Sequence, residues 1–482
     1  MEKHEMSITI KKNEDFSNWF TQILTKAKLI EYYDVSGCYV LLPNSYSIWE
    51  KIQYFLDKEL KRIDVQNTYF PLFITKKNLE IEQSHIEGFK PEVAWVTKSG
   101  LNDLVEPIAI RPTSECAIYS ILPKLIKSYN DLPLKINQWC NVVRWEISDT
   151  TPFIRSKEFL WSETHSSYSN EKNGIDDALY ILDIYKNIYK QILATPVIKG
   201  RKTKNEKFAG AIDSYSIESF IPQNGKGIQA ATCHNLGQNF SKMFGIIFQD
   251  KDQINKYVWQ ISCGITTRSI GIMLMLHGDD KGPIIPPLVS SIQIVIIPII
   301  FKNKEELVLE NCKQIFEKLK DQFRIKLDER NHKPGWKYNY WETMGVPLRI
   351  EIGPKDISNK KITLCKRNKN DKITVDNDEL VIDNINKIFA EINNELYEKA
   401  NVDLIKSIEE PNDEQSFEIA ISNNKICFIN WCETDECENY IKEKFKAKSL
   451  CIPYEIKIKN LTDFCPICNK KSTNQVLFSK SY

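Results

Sequence analysis

From position 155 to 165 the chain alternates, with Arg155, Lys157, Phe159, Trp161, Glu163 and His165 at every second residue. In a β-strand those six side chains share one face. An ordinary half-buried strand sets apolar residues on one side and polar groups on the other. Here a single face mixes cations, aromatics, a carboxylate and an imidazole. Upstream, the strand-like "VVRWE" sets Arg144 and Glu146 on one face, and residues 147–154 separate it from Arg155. An antiparallel hairpin of these two segments would gather Arg144, Glu146, Arg155, Phe159, Trp161, Glu163 and His165 on one surface. Guanidinium forks bind phosphate, an aromatic face stacks on a flat ring, and a carboxylate accepts from an exocyclic amine. The same residues would also make a solvated hairpin laced with cross-strand ion pairs.

The remaining pattern sets the architecture. Helical spacing covers 14–30, 46–62 and 171–194, with strand-like runs and turns between them up to about 285. This predicts an antiparallel α+β domain over 1–285. "KGPIIPP" at 281–287 reads as a linker. Beyond it come a strand at 292–298, a helix at 303–322, a strand at 324–327, a helix in "GWKYNYWETMG" and a strand in "VPLRIEI". That alternation predicts a separate α/β domain over 286–395, with a long helix at about 376–400 leading into a third unit, 396–482. With 482 residues, 42% hydrophobic and 27% charged, the chain has ample material for several cores. Its formal charge of +1 excludes a global basic field, so nucleic-acid contact must come from local patches. The longest apolar run, "IQIVIIPIIF", holds ten residues and a proline; it is too short for a bilayer and reads as a buried strand. The N-terminus has no signal-peptide core, and the thirteen cysteines carry no secretory context, so a reducing, cytoplasmic location without membrane attachment is expected.

Three motifs stand in order over some 200 residues. "IWEKIQYFLDKELKRIDVQNTYFP" is a helix, then a strand ending at Pro71. Arg144-x-Glu146, a loop, and Arg155-x-x-x-Phe159-x-x-x-Glu163 follow. "SCGITTRSIGIMLMLHGDD" closes the series with Gly264 and Arg268. The set resembles motifs 1, 2 and 3 of the class II aminoacyl-tRNA synthetases. "EPIAIRPTSE", "EFLWSETH", "ATCHNLGQNFSK", "KGRKTKNEKFAGA" and "PGWKYNYWE" are similar to the archaeal and eukaryotic type of prolyl-tRNA synthetase. About 100 residues separate Glu163 from Gly264, which leaves no room for the editing insertion of the bacterial type.

The resemblance implies ATP with Mg²⁺, L-proline and tRNA(Pro) as ligands, and motif 1 implies a homodimer. Arg144 would bridge the proline carboxylate and the α-phosphate. Arg155 would hold the outer phosphates, and Arg268 would stack on adenine opposite Phe159. Glu146 would read the adenine amine, with Gln229 (also for Mg²⁺), Thr232 and Thr266 completing the nucleotide contacts. Thr113 and Glu115 would receive the proline ammonium, while Trp161, Glu163, His165, Phe208 and His234 would shape the ring pocket. Two positions depart from the family, which usually has Trp at Cys263 and often Ser at Cys233; loss of that Trp is expected to loosen the amino-acid pocket.

In the α/β domain, Arg330, Lys337, Arg349 and Lys355 interleave with Trp336, Tyr338, Tyr340 and Trp341, a composition suited to single-stranded RNA. Arg330, Lys337, Arg349 and Glu351 are the candidate anticodon contacts; a solvated, ion-paired edge is the alternative. In the last unit, Cys432, Cys437, Cys465 and Cys468 give C-x₄-C and C-x₂-C, a spacing fit for structural zinc. Cys427, in the apolar "KICFINW", and Cys451 are expected to be packing residues. The terminal Tyr482 is expected to dock on the catalytic domain. Two rival functions are a synthetase-like tRNA or ATP sensor that does not charge, and a class II synthetase for another small amino acid. Intact Arg144, Arg155 and Arg268 argue against the first, and the settings of Thr113, Glu115, Trp161 and His165 against the second.

Overall fold

Eleven strands in one sheet form the spine of the molecule, in the order Ile408–Glu409, Ile426–Trp431, Asn474–Ser481, Lys448–Pro453, Ile198–Arg201, Asp213–Ile221, Lys226–Gly237, Trp259–Thr266, Glu158–Tyr168, Leu134–Val143, Gln66–Asn67. They come from a computed structural model that describes residues 7–85, 92–377, 382–457 and 463–482. From Ile198–Arg201 to Leu134–Val143 every pairing is antiparallel.

Helices Phe16–Lys26, Pro43–Lys61 and Glu171–Asn187 share one apolar core with the sheet, through Trp19, Trp49, Ile181 and Tyr185. The third passes into a π-helical turn, Ile188–Ile192, at the end of the predicted helical run. Helix Arg268–His277 enters the same core on nearly all sides, as its string of Ile, Met and Leu requires.

The expected hairpin surface is only half right. Leu134–Val143 and Glu158–Tyr168 do pair, Val143 opposite Glu158. However, Arg144, Glu146 and Arg155 all lie in the connection between the strands. Pro152 offers no N–H to a ladder, and Phe153 takes a positive φ of 66°. Arg155 instead exchanges two 2.8 Å backbone hydrogen bonds with Thr151, which closes a tight loop and takes it off the strand.

The second sheet has the order Ile325–Leu327, Ile294–Pro298, Leu348–Ile352, Lys361–Lys366, Lys372–Asp376, the first three parallel and the rest antiparallel. Helices Glu305–Leu319 and Pro334–Thr343 supply the α part of this α/β unit. The apolar run becomes an interior strand of this sheet, Ile294–Pro298, buried at all five positions. The following helix is Ile382–Lys406; part of the segment predicted to begin it lies outside the described residues. No helix of the described residues is long and apolar enough to cross a membrane.

The cysteine-rich unit joins the catalytic sheet. Ile452 and Pro453 pair with Arg201 and Gly200, and Lys480 and Ser481 pair with Lys226 and Gly227. The seam is held by Lys202, which is paired with Glu218 at 2.7 Å and donates to Leu450 O at 2.8 Å, all in the interior. Tyr482 docks as expected: its ring lies 4.5 Å beneath Lys226 Nζ, and its hydroxyl meets Asn224 and Met275. A Cβ at Gly200 would sit 2.4 Å from Ile452 O and 2.7 Å from Cys451 Sγ. Gly200→Val should therefore force the seam apart and cost about 1–3 kcal/mol, read as a lower urea midpoint; an unchanged midpoint would mean the seam is not tight.

Candidate active site

Register organises the site into rows. Gly264 faces Glu163, Thr266 faces Trp161 and Ser262 faces His165. On one side Gln138 and Cys140 stand opposite Glu163 and Trp161. On the other, Thr232 and His234 stand opposite Gly264 and Ser262, and Ser214 opposite His234. Directly paired residues project to the same side, so one surface collects side chains from five strands. A bulge adds one more: Ile217 pairs with Ala231 but Glu218 with Gln229, and skipping Ala230 reverses the parity and brings Gln229 to the site face.

Glu163 stands at the centre, 2% exposed. Its carboxylate accepts from Ser114, from Gln138 Nε2 at 2.9 Å, from Cys140 Sγ at 3.3 Å and from His165 Nε2 at 3.2 Å. Nδ1 of His165 meets the Tyr119 hydroxyl at 2.9 Å. Burial pushes the Glu163 carboxyl up, but the hydrogen bonds and charge of His165 outweigh it and hold it below the usual range. Burial likewise pushes His165 down, and Glu163 with nearby Glu115 outweighs that and raises it. Each partner thus favours the charged form of the other. Glu115 itself is buried and accepts from the Thr113 hydroxyl.

His234 is the opposite case. Burial pushes it down to about 3, so it is neutral. It takes a 2.8 Å bond at Nδ1 from Ser214 and stacks on Phe208 at 4.6 Å. Beside these groups, Arg144, Arg155, Phe159, Trp161, Gln229, Thr232, Thr266 and Arg268 line a cavity of about 110 Å³. It adjoins a polar cavity of about 320 Å³, where Glu146, Lys202 and Glu218 join Arg144, Arg155, Gln229 and Arg268. Arg144 lies 5.4 Å from the Phe159 ring centre. Arg268 is fixed by Ile154 O and Gln229 O, both at 3.0 Å. Arg155 and Glu146 are exposed. Three guanidiniums on one concavity can neutralise a polyphosphate; no nucleophile is needed for that chemistry.

Cys263 does not border this surface. It pairs with Thr164 and Cys233, on the parity that faces helix Glu171–Asn187, and it packs in the core with Tyr185. The expectation that a cysteine here loosens the amino-acid pocket is therefore corrected: the side chain lies behind the floor. Conversely, Ser114, Tyr119, Gln138 and Cys140 were not singled out in the sequence. The alternation of Gln138 and Cys140 in "NQWCNVV", in phase with Glu163 and Trp161, is the signal that would have found those two; nothing local marks Ser114 or Tyr119.

The candidate RNA contacts differ in availability. Arg330 forks onto Asp328 at 2.8 and 2.7 Å and lies 4.0 Å over Tyr340, in a stacked ladder with Trp336 and His332. Lys337 is buried and donates to Asp328 O at 2.7 Å, so it braces the loop rather than reaching a surface. Arg349 and Glu351 form a largely buried pair at 2.9 Å; Glu342 also accepts from Arg349, and Lys372 pairs with Glu351. Cys432, Cys437, Cys465 and Cys468 converge, with all four sulfurs within 4.8 Å of one another. Cys427 and Cys451 are buried in strands.

These features define a class II synthetase. The family described as "tRNA synthetase class II core domain (G, H, P, S and T)" matches residues 96–277, "Anticodon binding domain" matches 293–385, and "Prolyl-tRNA synthetase, C-terminal" matches 415–482. The chain is 42% identical to proline--tRNA ligase of Encephalitozoon cuniculi over 100% of both chains. It is 44% identical to the cytoplasmic proline--tRNA ligase of Arabidopsis thaliana, over 93% of this chain and 86% of that one. It spans 33% of the bifunctional glutamate/proline--tRNA ligase of Mus musculus, at 41% identity over 99% of its own length. A crystal structure of prolyl-tRNA synthetase from Cryptosporidium parvum, complexed with halofuginone and AMPPNP, superposes with a TM-score of 0.94 at 46% identity, covering 99% of this chain and 100% of that one. The chain belongs to the prolyl-tRNA synthetase family.

The buried pair has a defined pH window. The share from His165 is fully present below its ordinary 6.5 and is lost as pH rises through its raised value; the share from Glu163 is present above 4.5 and is lost as pH falls through its lowered value. Within that window, Gln138→Leu removes a donor to a buried charge and should cost about 1.5–3 kcal/mol, measured by urea denaturation. An unchanged midpoint would show that the carboxylate is satisfied without it.

Proposed function

We propose that the chain activates L-proline with ATP to give prolyl-adenylate and pyrophosphate, then transfers the prolyl group to the 3′ end of tRNA(Pro) with release of AMP. The observation that carries this reading is the convergence of Arg144, Arg155 and Arg268 on a cavity beside the Glu115–His165–Glu163 cluster. The proline carboxylate attacks the α-phosphorus in line as pyrophosphate departs. Catalysis is then a matter of orientation and of neutralising phosphoryl charge. Arg144 holds the carboxylate and the α-phosphate, and Arg155 the outer phosphates. Arg268 and Phe159 sandwich adenine, Glu146 accepts from its amine, and Thr232 and Thr266 hydrogen-bond the nucleotide. Gln229 is the residue that would hold Mg²⁺, which supplies further neutralisation of the phosphates. Thr113 and Glu115 receive the secondary ammonium. Trp161, Glu163, His165, Phe208 and His234 bound the ring.

The functional units are 1–285 for catalysis, 286–395 for the anticodon and 396–482 for the zinc module, working in the cytoplasm. Arg349 and Glu351 read anticodon guanines, with Arg330 beside its aromatic ladder. A homodimer is supported by apolar residues exposed around motif 1: Tyr54 on helix Pro43–Lys61, Tyr69, and, in the adjoining three-stranded sheet, Leu101 in a hairpin turn and Val105 on a strand, at 96% and 102% exposure. Zinc fits Cys432, Cys437, Cys465 and Cys468. A tetrahedral site with Zn–S of about 2.3 Å places sulfurs about 3.8 Å apart, against 3.8 Å for Cys437–Cys465 and 3.4 Å for Cys432–Cys468. Four thiolates leave no open position, so the role is structural.

ATP–pyrophosphate exchange should be strongest with proline among proline, alanine and cysteine, and Arg144→Ala should lower it about 10³-fold. If no amino acid supports exchange, the chain is a tRNA or ATP sensor and not a ligase. Cys468→Ser should abolish bound zinc in elemental analysis and lower the unfolding temperature; unchanged metal content would remove the zinc assignment.

A further inference from the structure

Helix Arg268–His277 connects two places that the reaction must bring into agreement. Its first residue, Arg268, lies in the nucleotide cavity, held by Ile154 O and Gln229 O. Ten residues at 1.5 Å each give a rod of about 15 Å, enclosed by core along its length. A Cβ at Gly271 would stand 2.8 Å from Phe153 Cβ and 2.7 Å from Ile154 Cδ1, so the loop that carries Arg155 rides directly on the rod.

The far end is clamped. Lys12 Nζ donates to Leu276 O at 3.1 Å and to Gly278 O at 2.9 Å, so its amine caps the carbonyls at the helix C-terminus. One residue on, Asp279 receives both arms of the Arg367 guanidinium, at 2.8 and 2.6 Å. Arg367 belongs to the α/β domain, and its side chain is 1% exposed. Two further donors go to Gly282 O at 3.1 Å and Glu342 O at 3.2 Å. Glu342 in turn accepts from Arg349 at 3.1 Å, and Arg349 from there bonds Glu351 at 2.9 Å. Every link from Glu351 to Arg268 is thus a hydrogen bond, an ion pair, one residue's own covalent frame, the short main chain from Asp279 to His277, or helix.

We infer that Arg367 and Asp279 are positioning residues that couple occupancy of the anticodon pair to the placement of Arg268 in the nucleotide cavity. This rests on the reading of Arg349 and Glu351 as anticodon contacts. A base that draws Arg349 or Glu351 into new hydrogen bonds must release or shift Glu342. The main chain of Glu342 holds Arg367, and the bidentate fork passes the shift to Asp279 and so to the rod. A fork resists rotation in a way that a single ammonium contact does not, so lysine is no substitute for arginine here.

The test uses the full chain and two tRNA(Pro) transcripts, one with its own anticodon and one with the anticodon guanines replaced. Arg367→Lys and Asp279→Asn should each shrink the kcat preference for the native anticodon by about tenfold, within the range of coupling between distant sites. tRNA Kd and tRNA-free ATP–pyrophosphate exchange should stay within about twofold of wild type, below the smallest coupling expected. If exchange falls in step with charging in both variants, the clamp is merely structural and the inference is overturned. If Arg349→Ala erases the preference while both clamp variants keep it, the anticodon reading stands and the coupling does not. If Arg349→Ala keeps the preference, the anticodon reading fails and the coupling has no input.

Discussion

The interaction on which the site depends is the buried carboxylate of Glu163. A carboxylate at 2% exposure is tolerable only when its oxygens are satisfied. Its donors come from the segment before helix Glu115–Tyr119, from strand Leu134–Val143 and from its own strand. Satisfying one charge therefore fixes the spacing of three pieces of backbone. Glu115 and Thr113 are carried by the first of these pieces, and Arg144 emerges from the second. The Thr113–Glu115 pair and Arg144, to which the proposed reaction gives the proline ammonium and carboxylate, are held in relation to one another by this single group.

Around that centre the sheet does two jobs. Towards the ligands, its register lines up Gly264, Thr232 and the bulge-turned Gln229. Away from them, Cys233, Cys263 and Ile265 form a greasy underside against helix Glu171–Asn187. The C-terminal unit extends the same sheet and closes the polar cavity with Lys448, Ser449, Leu450, Ser481 and Tyr482. Zinc in that unit would thus stiffen a wall of the catalytic cavity without taking part in the chemistry.

Much of this was legible in the sequence, and the exceptions have physical causes. The period-two run up to His165 announces its strand, and the shift to alternating strands and helices after Pro287 announces the second unit, because both patterns are local. The position of Arg155 was not legible, since Phe153 adopts a positive φ that its residue type does not signal. The face taken by Cys263 depends on which strand lies beside it, a non-local fact. The single eleven-stranded sheet was hidden for the same reason: Pro453 and Gly200 meet across 253 positions of chain. Lys337 carries a charge suited to RNA, yet its amine is spent on the Asp328 carbonyl, which only packing reveals.

The central claim is that the site holds two buried histidines shifted in opposite directions, His165 up by Glu163 and His234 down by burial. Selective ¹⁵N labelling of the six histidines makes this observable. Across a titration around neutral pH, His165 should lose its second ring proton above its ordinary 6.5, while His234 keeps a neutral imidazole down towards about 3. His165 titrating at or below 6.5, or His234 titrating near 6.5, would contradict the account.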